Sequence, residues 1–414
     1  MAVKKEKTFH KKLSIYLIIS GILILGIYST YLFFSQSEDV LTAPRSVSRK
    51  PFCSTPTSIF QHQGINGFSV FGRTLVFSRP NNNQLEFYDA GPDELFGTAD
   101  DVGIAPPITF PVNSIIGAPK ISGSNIIFSN YNLAAGQRSL SIYSIGPDEI
   151  VGTADDVGPS TIFTFPTGQG IPEWNIDGEL VTFISTNINP FNPSNIFYQC
   201  NAYSTCWTSS PQQVVQTVTL MDAVYSFKGI TPPSTGLNTY LWISRNLIPS
   251  GANRYNAYYL DQITAQQGLL WNRPLNLNQA ISDVSFPYVL LNEENPVVFG
   301  TGRIFIGTPY VSSPTQISPN TIPGITLFSD LGGTIGKRPS ANGDQLIVWM
   351  RNSLISSNFV WSLVVSSYPA HIGKEITLLS GTGTPPGQFF MSVDKDSVTY
   401  SYGNNIYSSQ CYFY

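Results

Sequence analysis

Residues 172–185 read PEWNIDGELVTFIS, and the way this stretch recurs decides the fold. A short strand-forming run meets a strongly apolar one across an Asp-Gly turn, the chemistry of a tight antiparallel hairpin. The same plan returns as FSVFGRTLVFS (68–78), APKISGSNIIFS (118–129) and RPSANGDQLIVWM (338–350). Weaker copies are DAVYSFKGI with NTYLWIS (222–244), ISDVSFPYVLLN (281–292) and FFMSVDKDSVTYSY (389–402). The seven anchors are spaced by very roughly 50–60 residues, a period that belongs to repeat architectures. A third strand such as QLEFYDA or SLSIYSI follows the strong anchors, and usually a fourth such as PITFPV, TIFTFPT or EITLLS. One such sheet cannot bury both of its faces. Packing it between neighbours in a closed ring does so, and leaves only short, protected edges. The expectation is an all-β protein, a β-propeller over residues 52–414, with seven blades and with six or eight left open by the weaker anchors.

The chain ends complete this picture. After the last anchor NNIYSSQCYFY supplies one more strand, and FCSTPTSIFQ (52–61) can supply the missing outer one from the N-terminal side. That closure sets Cys53 beside Cys411. Four cysteines permit three pairings. Cys200 and Cys206 frame a short loop and are expected to pair locally, leaving Cys53 to Cys411. Zinc is the weaker alternative, because CNAYSTC lacks a C-x-x-C knuckle and a nearby histidine.

EWNIDGELVTFIS resembles the P-x-W-S-P-D-G-x-x-I-A-F signature of TolB-like propeller repeats, and the copies at 118 and 338 are similar. As a pattern the resemblance covers most of residues 52–414, each copy being degenerate. It implies a propeller used for binding or scaffolding, or as an accessory domain of a peptidase. It implies no catalytic residue that can be carried onto this chain.

The N-terminus sets a compartment. Residues 1–12 carry five lysines against Glu6, and LSIYLIISGILILGIYSTYLFF (13–34) has no charge. Twenty-two residues at about 1.5 Å rise span roughly 33 Å, enough to cross a bilayer core. Basic residues ahead of the span hold residues 1–12 in the cytoplasm. The reading is a retained signal-anchor helix in the plasma membrane, a polar linker over 35–51 and an extracellular domain beyond it. A cleaved signal peptide is the rival, with no clear small-x-small cleavage site to support it. Taking residues 1–12 out of the totals of 22 basic and 26 acidic residues leaves 17 and 25. The resulting net charge of about −8 argues against nucleic acid as a partner. An unidentified cell-surface protein or glycan is expected instead.

Two stretches remain. GPDELFGTADDVG from Gly91 returns as GPDEIVGTADDVG from Gly146, identical at eleven of thirteen positions. Each falls after the third strand of its repeat, in neighbouring blades, where the next repeat has the Cys200–Cys206 loop. The motif resembles the GPDGxFGTxDD loops of bacterial and archaeal surface proteins. Oxygen-rich side chains around a Gly turn suit Ca²⁺, which takes six to eight oxygens. The candidate ligands are Asp89, Asp93, Thr98, Asp100 and Asp101, then Asp148, Thr153, Asp155 and Asp156. The pattern is not an EF-hand, and a solvated turn closed by side-chain capping explains it equally well. Tyr255, Tyr258, Tyr259 and Trp271 form a further candidate surface, or ordinary strand packing. No nucleophile elbow, metalloprotease or phosphate-binding motif is present. Asp177, Asp283, Asp344 and Asp394 lie near anchor turns, and His62 and His371 near strand ends; none is named as catalytic. A propeller-fold hydrolase acting on surface glycans stays as the alternative to a binding or scaffold module.

Overall fold

The computed structural model describes residues 50–414, except 63, 81, 168, 171–172, 188–193, 214–222, 231–238, 248–252, 262–266, 270–277, 286, 295–299, 309–313, 324 and 385–388. The chain divides into the units Met1–Lys50 and Pro51–Tyr414. The expected membrane span at 13–34 lies outside the described residues, among which no helix is long and apolar enough to cross a membrane.

The strands form seven antiparallel sheets. The first holds Gly67–Phe71, Thr74–Ser78, Gln84–Asp89 and Gly103–Thr109. The second is built on Lys120–Ser122, Asn125–Asn132, Gln137–Ser144 and Val157–Thr164. Trp174–Asp177 opens the third, Ala223–Ile230 the fourth, Asn278–Ser285 the fifth and Leu327–Ile335 the sixth. The seventh joins Met391–Asp394, Ser397–Tyr402 and Asn405–Tyr412 to Phe52–Cys53 and Thr57–Gln61. The opening strand of each sheet packs beside that of the next, and Met391–Asp394 packs beside Gly67–Phe71. The fold is a β-propeller.

Two-sided burial explains the apolar second strands. In Thr74–Ser78, Leu75 and Phe77 enter the core shared with the closing sheet, while Val76 enters the core shared with the second sheet. In the second sheet Ile126 and Phe128 face back and Ile127 faces forward. Side chains of a strand alternate between its faces, so a strand buried on both sides must be apolar throughout. The opening strands are tied across the blades by side chains that receive backbone amides. Val70 N–H donates to Ser392 Oγ (3.0 Å), Gly72 N–H to Asp394 Oδ2 (2.8 Å) and Gly178 N–H to Ser122 Oγ (2.9 Å). Amides of an opening strand, at Val70, and of the turns that follow, at Gly72 and Gly178, are thereby satisfied from the neighbouring sheet.

Closure comes from the N-terminal side of the domain. Thr57–Gln61 pairs with the last strand, Phe52 pairs with Tyr412 and Cys53 with Cys411, and both Cys53–Cys411 and Cys200–Cys206 are disulfides. Two boundaries correct the sequence reading. RPSAN (338–342) is no strand: the opening strand of the sixth sheet is Leu327–Ile335, and residues 338–342 belong to the turn after it. The fourth strands of the first two sheets start earlier than PITFPV and TIFTFPT. Gly103–Thr109 runs through Pro106 and Pro107, and Val157–Thr164 through Pro159. Both are outermost strands, where a missing N–H costs no ladder bond.

Candidate functional site

The twin loops occupy equivalent places, between the third and fourth strands of the first two sheets. Each closes on its own side chains. In the first, Tyr88 Oη and Gly97 N–H donate to Asp101 Oδ2 (2.7 and 2.8 Å). Thr98 Oγ1 lies 2.7 Å from Asp100 Oδ1, 3.0 Å from the Leu95 carbonyl and 3.3 Å from Asp101 Oδ1. In the second, Tyr143 Oη and Gly152 N–H donate to Asp156. Thr153 Oγ1 lies 2.6 Å from Asp155 Oδ1, 3.0 Å from the Ile150 carbonyl, 3.3 Å from Asp156 Oδ1 and 3.4 Å from Asp148 Oδ1. The threonine hydrogen bonds hold the Asp100 and Asp155 carboxyls below the usual range, and burial followed by the neighbouring carboxylate pushes the Tyr88 and Tyr143 phenols up.

The nine proposed ligands therefore divide. Thr98, Asp100 and Asp101 gather, as do Thr153, Asp155 and Asp156 with Asp148. Asp93 receives the Leu95 amide within its turn (2.8 Å), and Asp89 is held bidentately by Arg73 (2.7 and 2.8 Å). Among the described residues no three His, Cys, Asp or Glu side chains converge as a metal cage.

What the loops do in common is lean on the first hairpin turn of the preceding sheet. Glu94 Oε2 receives Lys395 Nζ (2.6 Å) and Arg338 Nη2 (2.7 Å), and Arg338 also grips Asp394 (2.6 Å). Burial opposes the Glu94 charge, but the two cations outweigh it and hold the carboxyl below its usual pKa. Glu149 stands over Gly72 in the same way: a Cβ there would lie 3.2 Å from Glu149 Oε2. In the third sheet the disulfide loop takes this role, with the Tyr203 hydroxyl 3.4 Å from where a Cβ on Gly123 would sit.

The seven opening strands enclose a cavity of about 240 Å³ at the centre of the ring, lined by residues of every sheet. Its charges come from Lys120, Lys228, Lys337 and Asp283. Lys337 Nζ bonds Asp283 Oδ1 (3.0 Å) and the Val284 carbonyl (2.6 Å), and Thr334 Oγ1 donates to Asp283 Oδ2 (2.7 Å). Burial opposes ionisation of Asp283, but Lys337 and Lys228 overcome it and bring the pKa to about 2. Lys228, buried, is paired with Glu173 at 2.5 Å. Lys120 keeps some exposed surface because it faces the cavity, and its ammonium has no hydrogen-bond partner among the described residues. Burial, then the nearby Lys228 charge, pushes its pKa down to about 7. Asp177, one residue before the turn of the third sheet, is pushed up to about 6 by burial.

Sequence reasoning passed over these three lysines. The available signal was a lysine inside a strand that packing buries, in PKISG and SFKGI, or just past the end of one, in TIGKR. The aspartates near anchor turns take separate roles. Asp283 joins the cavity, Asp394 braces Gly72 and Arg338, and Asp344 binds His371. His371 Nδ1 lies 2.7 Å from Asp344 Oδ2, and Ser367 Oγ reaches the same Asp344 oxygen (3.0 Å) and the same ring nitrogen (3.3 Å). A Ser-His-Asp triad needs serine and aspartate on opposite ring nitrogens. Here both meet Nδ1 and Ser367 is wholly buried, so the trio braces a hairpin. His62, also buried, receives Gly64 N–H on Nδ1 (3.0 Å) beside the closing strand. Trp271 and the side chains of Tyr255, Tyr258 and Tyr259 lie outside the described residues.

The sequence matches no family model and no curated protein. Among solved structures the chain is similar to the β-propeller domain of the Trilobed protease from Pyrococcus furiosus, with a TM-score of 0.51 at 10% identity over 82% of this chain and 91% of that one. It is similar also to an oligogalacturonate lyase from Vibrio parahaemolyticus, with a TM-score of 0.52 at 10% identity over 87% of this chain and 98% of that one. TolB from Acinetobacter baumannii aligns with a TM-score of 0.40 at 13% identity, over 70% of this chain and 60% of that one. At these identities the likeness is one of fold.

Proposed function

We propose that this chain is a membrane-anchored, exported propeller that binds a ligand in its central cavity and performs no catalysis. The observation that carries the reading is that cavity, where every sheet contributes lining residues and ionisable side chains converge at the centre of the ring. Pockets of this kind, concave and mostly apolar with a few convergent polar groups, are where small molecules bind. Two disulfides fit an oxidising compartment, and the uncharged run at 13–34 behind five lysines supports the anchor. A cell-surface protein or glycan is the partner class this topology suits. The hydrolase alternative needs two carboxylates available for proton transfer. Glu173 and Asp283 are each tied to a lysine, which favours binding over hydrolysis.

Ca²⁺ enters the reading as a structural ion. Thr98, Asp100, Asp101 and the Leu95 carbonyl would hold it in one loop, and Thr153, Asp155, Asp156, Asp148 and the Ile150 carbonyl in the other. Either set would complete its shell with water.

The test is a thermal-shift screen of glycans and small polar metabolites on the full-length chain in detergent, repeated on Ser282→Tyr, which fills the cavity from its wall. Ligands of the wild type should lose their shift in the variant. Ligands that stabilise both chains equally would place binding elsewhere and refute the proposal.

A further inference from the structure

Hydrogen-bond supply and demand inside the cavity are unequal. Lys120, Asn175, Ser69 and Ser392 share one level of the ring: each stands three residues before the turn position of its sheet, at Gly123, Gly178, Gly72 and Lys395. All four line the cavity, and among the described residues all four lack an acceptor. Lys120 Nζ has no partner among the described residues. Asn175 is 2% exposed, and its Nδ2 is buried with no hydrogen bond. Ser69 Oγ and Ser392 Oγ already receive backbone amides, from Ile121 (3.3 Å) and Val70 (3.0 Å), which leaves each hydroxyl proton to be donated. A buried donor without an acceptor costs about 1–3 kcal/mol, so a site that keeps several is built for an acceptor that arrives from outside.

Charge narrows the class. Lys228 is matched by Glu173 and Lys337 by Asp283, one carboxylate to each ammonium. Lys120 is left as the one cavity ammonium with no carboxylate paired to it among the described residues. That balance suits a monoanion and not a dianion such as sulfate. Apart from Ser282 and Thr334 the remaining wall is mostly apolar, with Phe68, Ala118, Ile176 and Met391, and the volume admits a molecule of modest size.

Resting on the cavity reading above, we propose that the site takes a small monocarboxylate whose two oxygens accept from Lys120 Nζ and Asn175 Nδ2. Binding needs the ammonium, and the groups facing Lys120 are Lys228, Glu173, Asp283 and Lys337. With the free pKa near 7, affinity should fall by about ten-fold per pH unit above that point. Asp177, ionising near pH 6, opposes the anion on the same side of neutrality.

Titration calorimetry on the full-length chain in detergent at pH 6.5 tests the assignment. The probes are lactate, butyrate and benzoate, each against its neutral amide, with inorganic sulfate, a dianion at this pH, beside them. The carboxylates should bind one to one, the amides should not, and sulfate should bind more weakly. Lys120→Met should lower carboxylate affinity at least ten-fold without lowering the melting temperature. Asn175→Asp should lower it as well, while Lys374→Met, at the surface, leaves it unchanged. Equal binding of the amides, tighter binding of sulfate, or full affinity in Lys120→Met overturns the proposal. If no carboxylate binds but a neutral ligand does and is lost in Ser282→Tyr, the carboxylate assignment falls and the cavity reading stands. If no ligand depends on the cavity, both fall.

Discussion

Removing the disulfide that seals the ring should cost far more than removing the one that staples a hairpin. Cys53 and Cys411 are 358 residues apart, whereas Cys200 and Cys206 are separated by 6. In chain-entropy terms the long closure is worth about 6 kcal/mol and the short one about 2. A folded unit of this length loses melting temperature at roughly 1.3 °C per kcal/mol. Cys53→Ala with Cys411→Ala should therefore lower the midpoint by roughly 7–8 °C, and Cys200→Ala with Cys206→Ala by roughly 3 °C. Differential scanning calorimetry of both double variants beside the wild type, without reductant, reads this directly. The long-range variant should also melt in one transition, because the last strand is held by Thr57–Gln61 even without the bond. Equal losses for the two variants, or a larger loss for the local one, would refute the claim that the N-terminal strand closes the ring covalently.

Other consequences can be checked with the same preparations. Arg351 grips Asp330 (2.6 Å) and Glu375 (2.6 Å) in the sixth sheet, and Asp330 is wholly buried. Arg351→Met strands two carboxylates, so it should cost about 3–5 kcal/mol in urea unfolding, and a loss under about 1 kcal/mol would contradict the burial. The folded pKa of Lys120 lies below its unfolded value, so the unfolded chain binds more protons between about pH 7 and 10.4. The stability Lys120 takes away is thus fully lost below pH 7 and recovered as pH rises. Lys120→Met should melt above wild type at pH 7, with a gap that narrows toward pH 10; a gap constant with pH would contradict a buried Lys120 crowded by other cations. If the twin loops hold calcium, millimolar Ca²⁺ should raise the melting temperature relative to chelator, and Asp101→Asn with Asp156→Asn should abolish the difference. No response to Ca²⁺ in the wild type would reduce both loops to capped turns.

The hairpin pattern made the propeller legible, because an element buried on both faces leaves an apolar run between turn residues. Where it failed, other constraints outweighed propensity. The sequence reading places the opening strand at RPSAN and passes over Leu327–Ile335, which Gly332 and Gly333 interrupt, yet a Cβ on Gly333 would come within 2.9 Å of Leu290 Cδ2 and 3.0 Å of the Val348 carbonyl. The glycine marks a close approach between sheets. Prolines delayed the expected start of the outermost strands for the reason already given. The twin loops were placed correctly, but their shared task was hidden. Glu94 meets Arg338 and Lys395 across 244 and 301 residues, a contact that only ring closure creates. The cavity lysines were missed because a lone charge in or just past a strand looks solvent-facing, whereas the innermost strands and the residues that follow them turn theirs toward the centre of the ring.

Hydrogen exchange on the full-length chain, with and without a ligand from the thermal-shift screen, tests the central claim most directly. Binding in the cavity should slow exchange in peptides covering 67–71, 120–122, 174–177, 278–285, 327–335 and 391–394, which belong to separate sheets and meet only at the centre. Protection confined to the loops at 91–103 and 146–157, or to the outermost strands, would contradict it.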